Sequence, residues 1–378
     1  MSLKRKIEFY RHNLTATDIR EVNKVLNSIF LTTGNSVKQF ETDFAKYLQA
    51  KYAVGVSSCT EALFLCLKYM GIGEGDEVIT TPMTFMATAN AILYCGAKPV
   101  FVDVEESTGN IDANLIEKAI TKKTKAIIPV HLYGQMCDMK KINTIAKKYK
   151  LGVIEDAAHC IEGERDGIRV GQLSQFACFS FYAIKTITSG EGGAITTNDS
   201  KAYEWLIKAR LHGMSKNAID RYSGHYQPID MEFLGYKANM TNIEASMLLH
   251  QLERINRLYE QREKLAAIYD KGFSKNKNVK IIPALTNSKH GRFLYTIQVD
   301  PAKRDEIIRQ LESAGISIAV HFKPVHLLSY YKKAGYREGD YPIAERMGMS
   351  TISIPFYPKL TRNEAEYIIK EVNRVTQN

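Results

Sequence analysis

Long apolar runs are missing from this sequence of 378 residues. No stretch approaches the ~20 apolar residues that a membrane-spanning helix needs. The amino-terminal segment MSLKRKIEFYRH also lacks the apolar core of a secretory signal. Internal repeats and low-complexity segments are absent as well. These absences argue against membrane, secreted and repeat proteins, and we expect a globular protein of the cytoplasm.

Paired cysteine motifs are missing too. The six cysteines are scattered without a CxxC pair, which predicts reduced, buried thiols and neither disulfides nor a metal site. The net charge of +10, from 51 basic and 41 acidic residues, permits an anionic partner such as a nucleotide. Because the basic residues are spread out without a recognition motif, nucleic acid is not an expected partner.

Short β-rich runs alternate with helical patterns between residues 50 and 200. This alternation predicts an α/β fold, a doubly wound layer with a mainly parallel sheet that binds ligands at the carboxyl ends of its strands. One helical pattern then runs from Thr241 to Phe273, followed by the strand-like segments FLYTIQV, ISIAVHF and ISIPFYP. We predict a large domain over 1–250 and a smaller C-terminal α+β domain over 251–378. Whether segment 1–35 joins the small domain is left open.

One lysine points to a specific chemistry. Lys185 lies among small, hydroxylated and apolar residues in FSFYAIKTITSGEGGA, and such surroundings favour the neutral amine of a Schiff-base lysine. Upstream, the strand-like segment LGVIEDAAHC contains Glu155 and Asp156. Pyridoxal phosphate (PLP) requires such a pair, a lysine that bonds it and a carboxylate that keeps its pyridine nitrogen protonated. Taken singly, Lys185 fits a surface lysine and Asp156 a helix N-cap better than a cofactor site.

A phosphate site is predicted after the strand-like segment YAVGV. Ser57, Ser58 and Thr60 crowd the first turn of an amphipathic helix, with Cys59 among them. Free amides and hydroxyls at a helix start favour a phosphate, and Ser180 would supply a further hydroxyl. An ordinary Ser/Thr cap is the alternative.

Two rings are candidates for contacts with the cofactor. Phe85 follows the strand-like segment EVIT and is either a ring that stacks on the pyridine or a core residue. His159 either hydrogen-bonds Asp156, faces the phenolic side of the pyridine, or is a satisfied buried histidine.

Segments along nearly the full chain resemble the DegT/DnrJ/EryC1/StrS family of sugar aminotransferases. They are VSSCTEAL, TPMTFMATANAI, AKPVFVDVE, AIIPVHLYG, VIEDAAHC, FSFYAIKTITSGEGGAI, LGYKANMTNIEAS and SIPFYPKLT. Within that family, ITSGEGG, LHGMSKNAIDR and GYKAN are most similar to the enzymes that aminate a UDP-linked 4-keto pentose in lipid A modification. The resemblance implies a fold type I PLP-dependent aminotransferase, a homodimer whose active sites lie at the subunit interface.

The resemblance also implies roles for individual residues. These are Lys185 as the Schiff-base lysine, Asp156 at the pyridine nitrogen, Ser58, Cys59, Thr60 and Ser180 around the phosphate, Phe85 as the stacking ring and His159 near the phenolic oxygen. Many members read GxNxR where this chain reads GYKAN, so either Lys237 or Asn239 would reach the neighbouring subunit's phosphate. Substrate contacts fall on Thr33, Gly34 and His321, and for this histidine a packing role is the alternative.

The activity implied is a two-stage transamination. Glutamate donates its amino group and leaves pyridoxamine phosphate (PMP), from which a nucleotide-linked keto sugar takes the amine for cell-surface polysaccharide or lipid synthesis. A UDP-4-keto sugar is favoured, with dTDP-3-keto and GDP-4-keto sugars as alternatives. Related sugar dehydratases carry histidine at the lysine position, so Lys185 opposes that assignment. A regulatory or DNA-binding protein on the same scaffold is less favoured, because no helix-turn-helix motif is appended.

Overall fold

The computed structural model describes residues 6–215, 228 and 230–377. Residues 216–221 of the segment LHGMSKNAIDR lie outside the described residues. The α-helices are α1 (Ala16–Leu26), α2 (Asn35–Leu48), α3 (Cys59–Tyr69), α4 (Ala87–Tyr94), α5 (Ala113–Ala119), α6 (Met139–Tyr149), α7 (Ser200–Ala209), α8 (Asn242–Glu253), α9 (Ile255–Phe273), α10 (Arg304–Ser313), α11 (Ser329–Lys333), α12 (Pro342–Ser350) and α13 (Arg362–Thr376).

The strands alternate with these helices over the first half of the chain. They are β1 (Tyr52–Val56), β2 (Glu77–Thr80), β3 (Lys98–Phe101), β4 (Thr124–Ile127), β5 (Gly152–Asp156), β6 (Glu164–Arg165), β7 (Ile168–Arg169), β8 (Phe176–Ser180), β9 (Gly193–Thr197), β10 (Lys280–Ile281), β11 (Ser288–Lys289), β12 (Tyr295–Gln298) and β13 (Thr351–Ile354).

The central sheet has seven strands in the order β1-β9-β8-β5-β4-β2-β3. Strands β8, β5, β4, β2 and β3 pair in parallel, whereas β9 runs antiparallel to both of its neighbours. The predicted α/β fold with a mainly parallel sheet is therefore confirmed. Because β1 and β8 run in the same direction, their carboxyl ends open on the same edge as those of β2 and β5.

Strand β8 shows why this sheet is covered on both faces. All of its residues are buried, and alternate side chains enter two different cores. Ala177 and Phe179 join the cluster formed with α2 and α8, while Phe176 and Cys178 join the cluster formed with α3 and α7. A near-continuous apolar strand is what a central strand between two helical layers requires.

The long helical pattern from Thr241 is broken once. The sequence predicted one helix to Phe273, but the structure has α8 and α9 on either side of Arg254, whose φ of −104° and ψ of 11° leave the helical range. The Arg254 guanidinium is held by Asp18, at 2.5 Å, and by the backbone oxygen of Asn13. Tertiary contacts of one side chain therefore override a continuous helical periodicity.

A second, smaller sheet has the order β10-β12-β13 and packs against α9, α10 and α13. Ile7 lies in the same core and bridges to Ile316. The predicted strand ISIAVHF takes part only in isolated bridges among the described residues. Leu258 belongs to the core of the large sheet and Leu265 to that of the small one. The domain boundary at residue 250 stays a prediction.

No helix in the described ranges combines the length and apolar character needed to cross a membrane. The cysteines of this part of the chain are buried free thiols.

Replacing Arg254 with alanine is expected to destabilise the fold by about 3 kcal/mol, because the carboxylate of Asp18, 1% exposed, would lose its charged partner. Urea unfolding at pH 7 measures the change. Exposed Arg257 offers the matched control, Arg257→Ala, which should change the free energy of unfolding by less than about 0.5 kcal/mol. Equal effects of the two substitutions would contradict this account of the break.

Candidate active site

A cavity of about 500 Å³ opens at the carboxyl edge of the central sheet. Nine of the residues singled out in the sequence line it, contributed by loops and helix starts that follow strands β1, β2, β5 and β8 and by a later segment. They are Ser58, Cys59, Thr60, Phe85, Asp156, His159, Ser180, Lys185 and His321. The structure thus brings together side chains separated by more than half of the sequence.

Asp156 is the last residue of β5 and is 5% exposed. Its Oδ2 accepts a hydrogen bond from the Thr88 hydroxyl at 2.7 Å, and its Oδ1 accepts one from the Ala158 backbone N–H at 3.1 Å. Burial raises the pKa of this carboxyl, while these hydrogen bonds oppose the rise. A cationic group within the cavity would therefore favour the ionised carboxylate.

Lys185 enters the same cavity from the loop between β8 and β9. Its Nζ lies 4.4 Å from the centroid of the Phe293 ring. Burial lowers the pKa of this amine to about 8, and the neighbouring Cys59 and Asp156 limit the fall. A substantial fraction of the amine is therefore neutral near physiological pH. Lys185 is partly buried and lines the cavity, a position compatible with the predicted Schiff-base role.

Two hydrogen bonds hold the backbone of Lys185, one made by its amide N–H and one received from a tyrosine hydroxyl. Its N–H donates to the backbone oxygen of Tyr182 at 2.9 Å, and its own backbone oxygen accepts from the Tyr10 hydroxyl at 2.8 Å. Tyr10 also packs against the core of the small sheet. Tyr10 thus links the loop that carries the amine to the core of the small sheet.

The start of α3 forms one end of the cavity. Ser58 is the N-cap, and its Oγ accepts from the Glu61 N–H at 3.1 Å, so the predicted cap does exist. A Cβ on Gly193 would lie 2.4 Å from the carbonyl carbon of Ser58, which means that only glycine lets β9 approach this turn. Cys59 and Thr60 also line the cavity here, beside Ser180 at the end of β8. A helix start with free amides is a suitable place for an anion.

The two predicted ring residues differ in environment. Phe85 lines the cavity and is 54% exposed, which excludes the core alternative. His159 is packed against Phe293, with ring centroids 4.3 Å apart, and its Nδ1 accepts from the Tyr133 N–H at 3.3 Å. The pKa of His159 lies far below its usual value, mainly because the ring is buried. The neighbouring Lys185 and His321 lower it further. In the neutral ring the hydrogen therefore sits on Nε2.

His321 reaches the cavity from the segment before α11. Its Nδ1 lies 2.8 Å from the Ser353 hydroxyl on β13, and the Phe9 ring stacks on it at 5.7 Å. Burial lowers the pKa of this histidine to about 4. The packing alternative and a substrate contact are both compatible with this position, because the side chain is held and still faces the cavity.

Five predicted residues do not line this cavity: Thr33, Gly34, Ser57, Lys237 and Asn239. Thr33 and Gly34 precede α2 beside the Asn242 side chain. The Lys237 amine donates a hydrogen bond to the side-chain oxygen of Asn239. The backbone of Asn239 forms an isolated β-bridge with Val56 at the end of β1. Within one subunit these residues do not meet Lys185.

Several residues that line the cavity were missed by sequence reasoning. Thr88 lies in the segment TPMTFMATANAI, three residues after Phe85. This spacing, about one helical turn, could have indicated that the two side chains lie on the same side. Phe293 and Phe322 come from loops of the later half of the chain. Nothing in the local sequence of these two rings distinguishes them from ordinary core residues.

The residues present fit a pyridoxal cofactor. A partly neutral amine and a buried carboxylate share one cavity, a helix start with free amides lies at its end, and aromatic rings line its sides. These are the groups that bond the aldehyde, hold a cationic ring nitrogen, take a phosphate and pack on a flat ring.

Comparison with known proteins agrees with this chemistry. Residues 12–373 match the model of the DegT/DnrJ/EryC1/StrS aminotransferase family. The chain is 42% identical to the spore coat polysaccharide biosynthesis protein SpsC of Bacillus subtilis, over 95% of this chain and 94% of that protein. It is 38% identical to the GDP-perosamine synthase of Caulobacter vibrioides, with 91% of each chain covered.

Solved structures give the same answer. The PMP form of the sugar aminotransferase Spr1654 of Streptococcus pneumoniae superimposes with a TM-score of 0.93 at 33% identity, covering 98% of this chain and 99% of that one. The same protein is also known in its PLP form. The chain belongs to the DegT/DnrJ/EryC1/StrS aminotransferase family and has the PLP-dependent aminotransferase fold. The predicted class, a sugar aminotransferase with PLP and PMP as cofactor forms, is confirmed.

Thr88→Val should raise the pKa of Asp156, because the carboxylate would lose a 2.7 Å hydrogen-bond donor while it stays buried. We expect kcat to fall about tenfold. The pH dependence of the bound cofactor's absorbance should also shift, which a purely structural defect would not cause. Thr88→Ser keeps the hydroxyl and should restore both properties; a spectrum unchanged in the valine variant would contradict the role.

Covalent attachment of PLP to the cofactor-free protein should accelerate with rising pH and reach half its limiting rate near pH 8. The neutral amine is the nucleophile, and the pKa of Lys185 is about 8. Stopped-flow absorbance measures this rate. In Lys185→Ala, borohydride should not attach PLP to the protein. Lys289→Ala removes a lysine outside the cavity, and borohydride should still attach PLP to this control variant. Fixation or normal turnover in the Lys185 variant would refute the assignment.

Proposed function

We propose that this enzyme transfers an amino group from glutamate to a nucleotide-linked keto sugar, with a UDP-4-keto sugar favoured, in the synthesis of a cell-surface polysaccharide or lipid. The observation that carries the proposal is the partly neutral amine of Lys185 in one buried cavity with Asp156. A binding protein would have no need of such a pair, since burying both groups is unfavourable.

Lys185 is proposed to move the proton. When it is not bonded to the cofactor, the Lys185 amine takes a proton from the carbon that bears the donor's amino group. It later delivers a proton to the former ketone carbon of the sugar. A group with a pKa near 8 can both accept and return a proton at neutral pH. PLP, when bound, supplies a ring that withdraws electrons from this carbon.

Asp156 is proposed to hold the positive charge of the ring nitrogen. Thr88 and the Ala158 N–H fix the carboxylate, so its orientation does not depend on the ligand. His159, neutral and with its hydrogen on Nε2, would offer a hydrogen-bond donor to the phenolic oxygen of the cofactor. Phe85 at the mouth and Phe322, with ring centroids 6.1 Å apart, are placed to limit movement of a flat group.

The phosphate of the cofactor is assigned to the start of α3 and to Ser180. Ser58, Cys59 and Thr60 form the first turn of this helix, and the amides there have no acceptor within their own helix. The macrodipole adds a further attraction for an anion.

A second subunit is proposed to complete the site. Exposed apolar side chains flank the predicted contacts that lie outside the cavity: Ile29 (87% exposed) precedes Thr33, and Leu234 (80% exposed) precedes Lys237. Burial of these two exposed apolar side chains against a second subunit would be favourable. In a homodimer, Lys237 or Asn239 would reach the phosphate of the neighbouring subunit.

The nucleotide has two supported candidates. The predicted UDP sugar rests on the sequence resemblance in ITSGEGG and GYKAN. A GDP-linked sugar is the second candidate, because the relatives include GDP-perosamine synthases of Caulobacter vibrioides and Escherichia coli O157:H7, at 38% and 36% identity. SpsC, a protein of spore coat polysaccharide biosynthesis, supports a role in polysaccharide formation without naming the nucleotide.

The test is a panel of nucleotide keto sugars added to the PMP-loaded enzyme. We expect the absorbance of lysine-bound PLP to return with a UDP-4-keto sugar, and glutamate to restore the PMP form afterwards. The panel includes GDP-4-keto and dTDP-3-keto sugars, and Lys185→Ala serves as the inactive control. Return of the absorbance only with the GDP or dTDP sugar would overturn the UDP assignment, and no response to any sugar would overturn the proposed activity.

A further inference from the structure

A second cavity of about 480 Å³ lies between the small sheet, α12 and the loop after β3. None of the residues that line it also lines the cavity around Lys185. Its walls come from the end of β12, from the end of α12 and from the turn that follows α9. This volume matches that of a small-molecule site.

The lining of this second cavity is predominantly basic. Four cationic side chains line it, against the carboxylates of Glu106 and Asp300. They are Lys277, Lys280, Lys303 and Arg346. The four positive groups outnumber the two carboxylates of the lining, and Arg with Lys is a usual combination for a phosphate group.

A buried amide adds an independent sign of a ligand. Gln298, at the end of β12, lines the cavity and is 8% exposed. Its Nε2 has no hydrogen-bond partner among the described residues. Since a buried donor without an acceptor is unfavourable, an acceptor supplied from the cavity would stabilise it.

Glu106 occupies part of the positive surface in the structure. Its carboxylate lies 3.6 Å from the amine of Lys280 and 3.1 Å from the guanidinium of Arg346. Glu106 is about half exposed, so it can swing away at little cost. It therefore acts as a weak internal substitute for an anion.

We propose that this second cavity binds a small phosphate-bearing anion, held by Lys280 and Arg346 after Glu106 swings away, with Gln298 as a neutral donor at the floor. The assignment does not depend on the substrate or donor of the transamination. A cavity of this size selects a small molecule rather than a nucleic acid or a membrane surface.

The test uses inorganic pyrophosphate as the probe and isothermal titration calorimetry as the measurement. The holoenzyme is first treated with borohydride, so that the cofactor stays fixed on Lys185 and its phosphate site is filled. We expect the Lys280→Ala/Arg346→Ala double variant to bind pyrophosphate at least about tenfold more weakly, because two charged donors are lost. Glu106→Gln should bind about threefold more tightly, because a competing carboxylate is removed.

Glu117 provides a matched control. It also forms an exposed pair with a lysine, Lys148, at 3.1 Å, but it lies outside the cavity, so Glu117→Gln should leave the affinity unchanged. Thermal unfolding checks that all variants are folded. The absence of binding, or an affinity unchanged in either of the two cavity variants, would overturn the proposal.

Discussion

The placement of one partly buried amine and one buried carboxylate in a single cavity constrains the rest of this enzyme. Removing Lys185 and Asp156 from water shifts both toward their neutral forms, since burial lowers the pKa of the amine and raises that of the carboxyl. Catalysis needs the neutral form of the lysine but the ionised form of the aspartate. The structure treats the two groups differently: Thr88 and the Ala158 N–H donate hydrogen bonds that favour the ionised carboxylate, whereas burial dominates at the amine and lowers its pKa.

That arrangement depends on segments from both halves of the chain. Strands β5 and β8 bring Asp156 and Ser180 to one edge because parallel strands end together. Phe293 and His321, which close the other side, come from segments beside the small sheet, and Tyr10 links the loop of Lys185 to the core of that sheet. A change in how the small sheet packs would therefore alter the environment of the amine without touching the central sheet.

Sequence reasoning reached the parts of the site that follow from local pattern. The alternation of strands and helices predicted the mainly parallel sheet, and each of Ser58, Phe85, Asp156 and Ser180 was recognised by its place at or just after a strand. Thr88 was missed, although its position one helical turn after Phe85 was visible in the sequence. Phe293 was not found, because only tertiary packing brings its ring to the lysine. The break at Arg254 was missed for the same reason: its partner Asp18 is remote in sequence.

The small sheet connects the two cavities through simple strand geometry. Along β13, Ile352 and Ile354 face the apolar core, so Thr351 and Ser353 face the opposite side. Ser353 there contacts His321 of the active-site cavity, and Gln298, paired with Thr351, lines the second cavity. The polar face of β13, formed by Thr351 and Ser353, thus lies next to residues of both cavities.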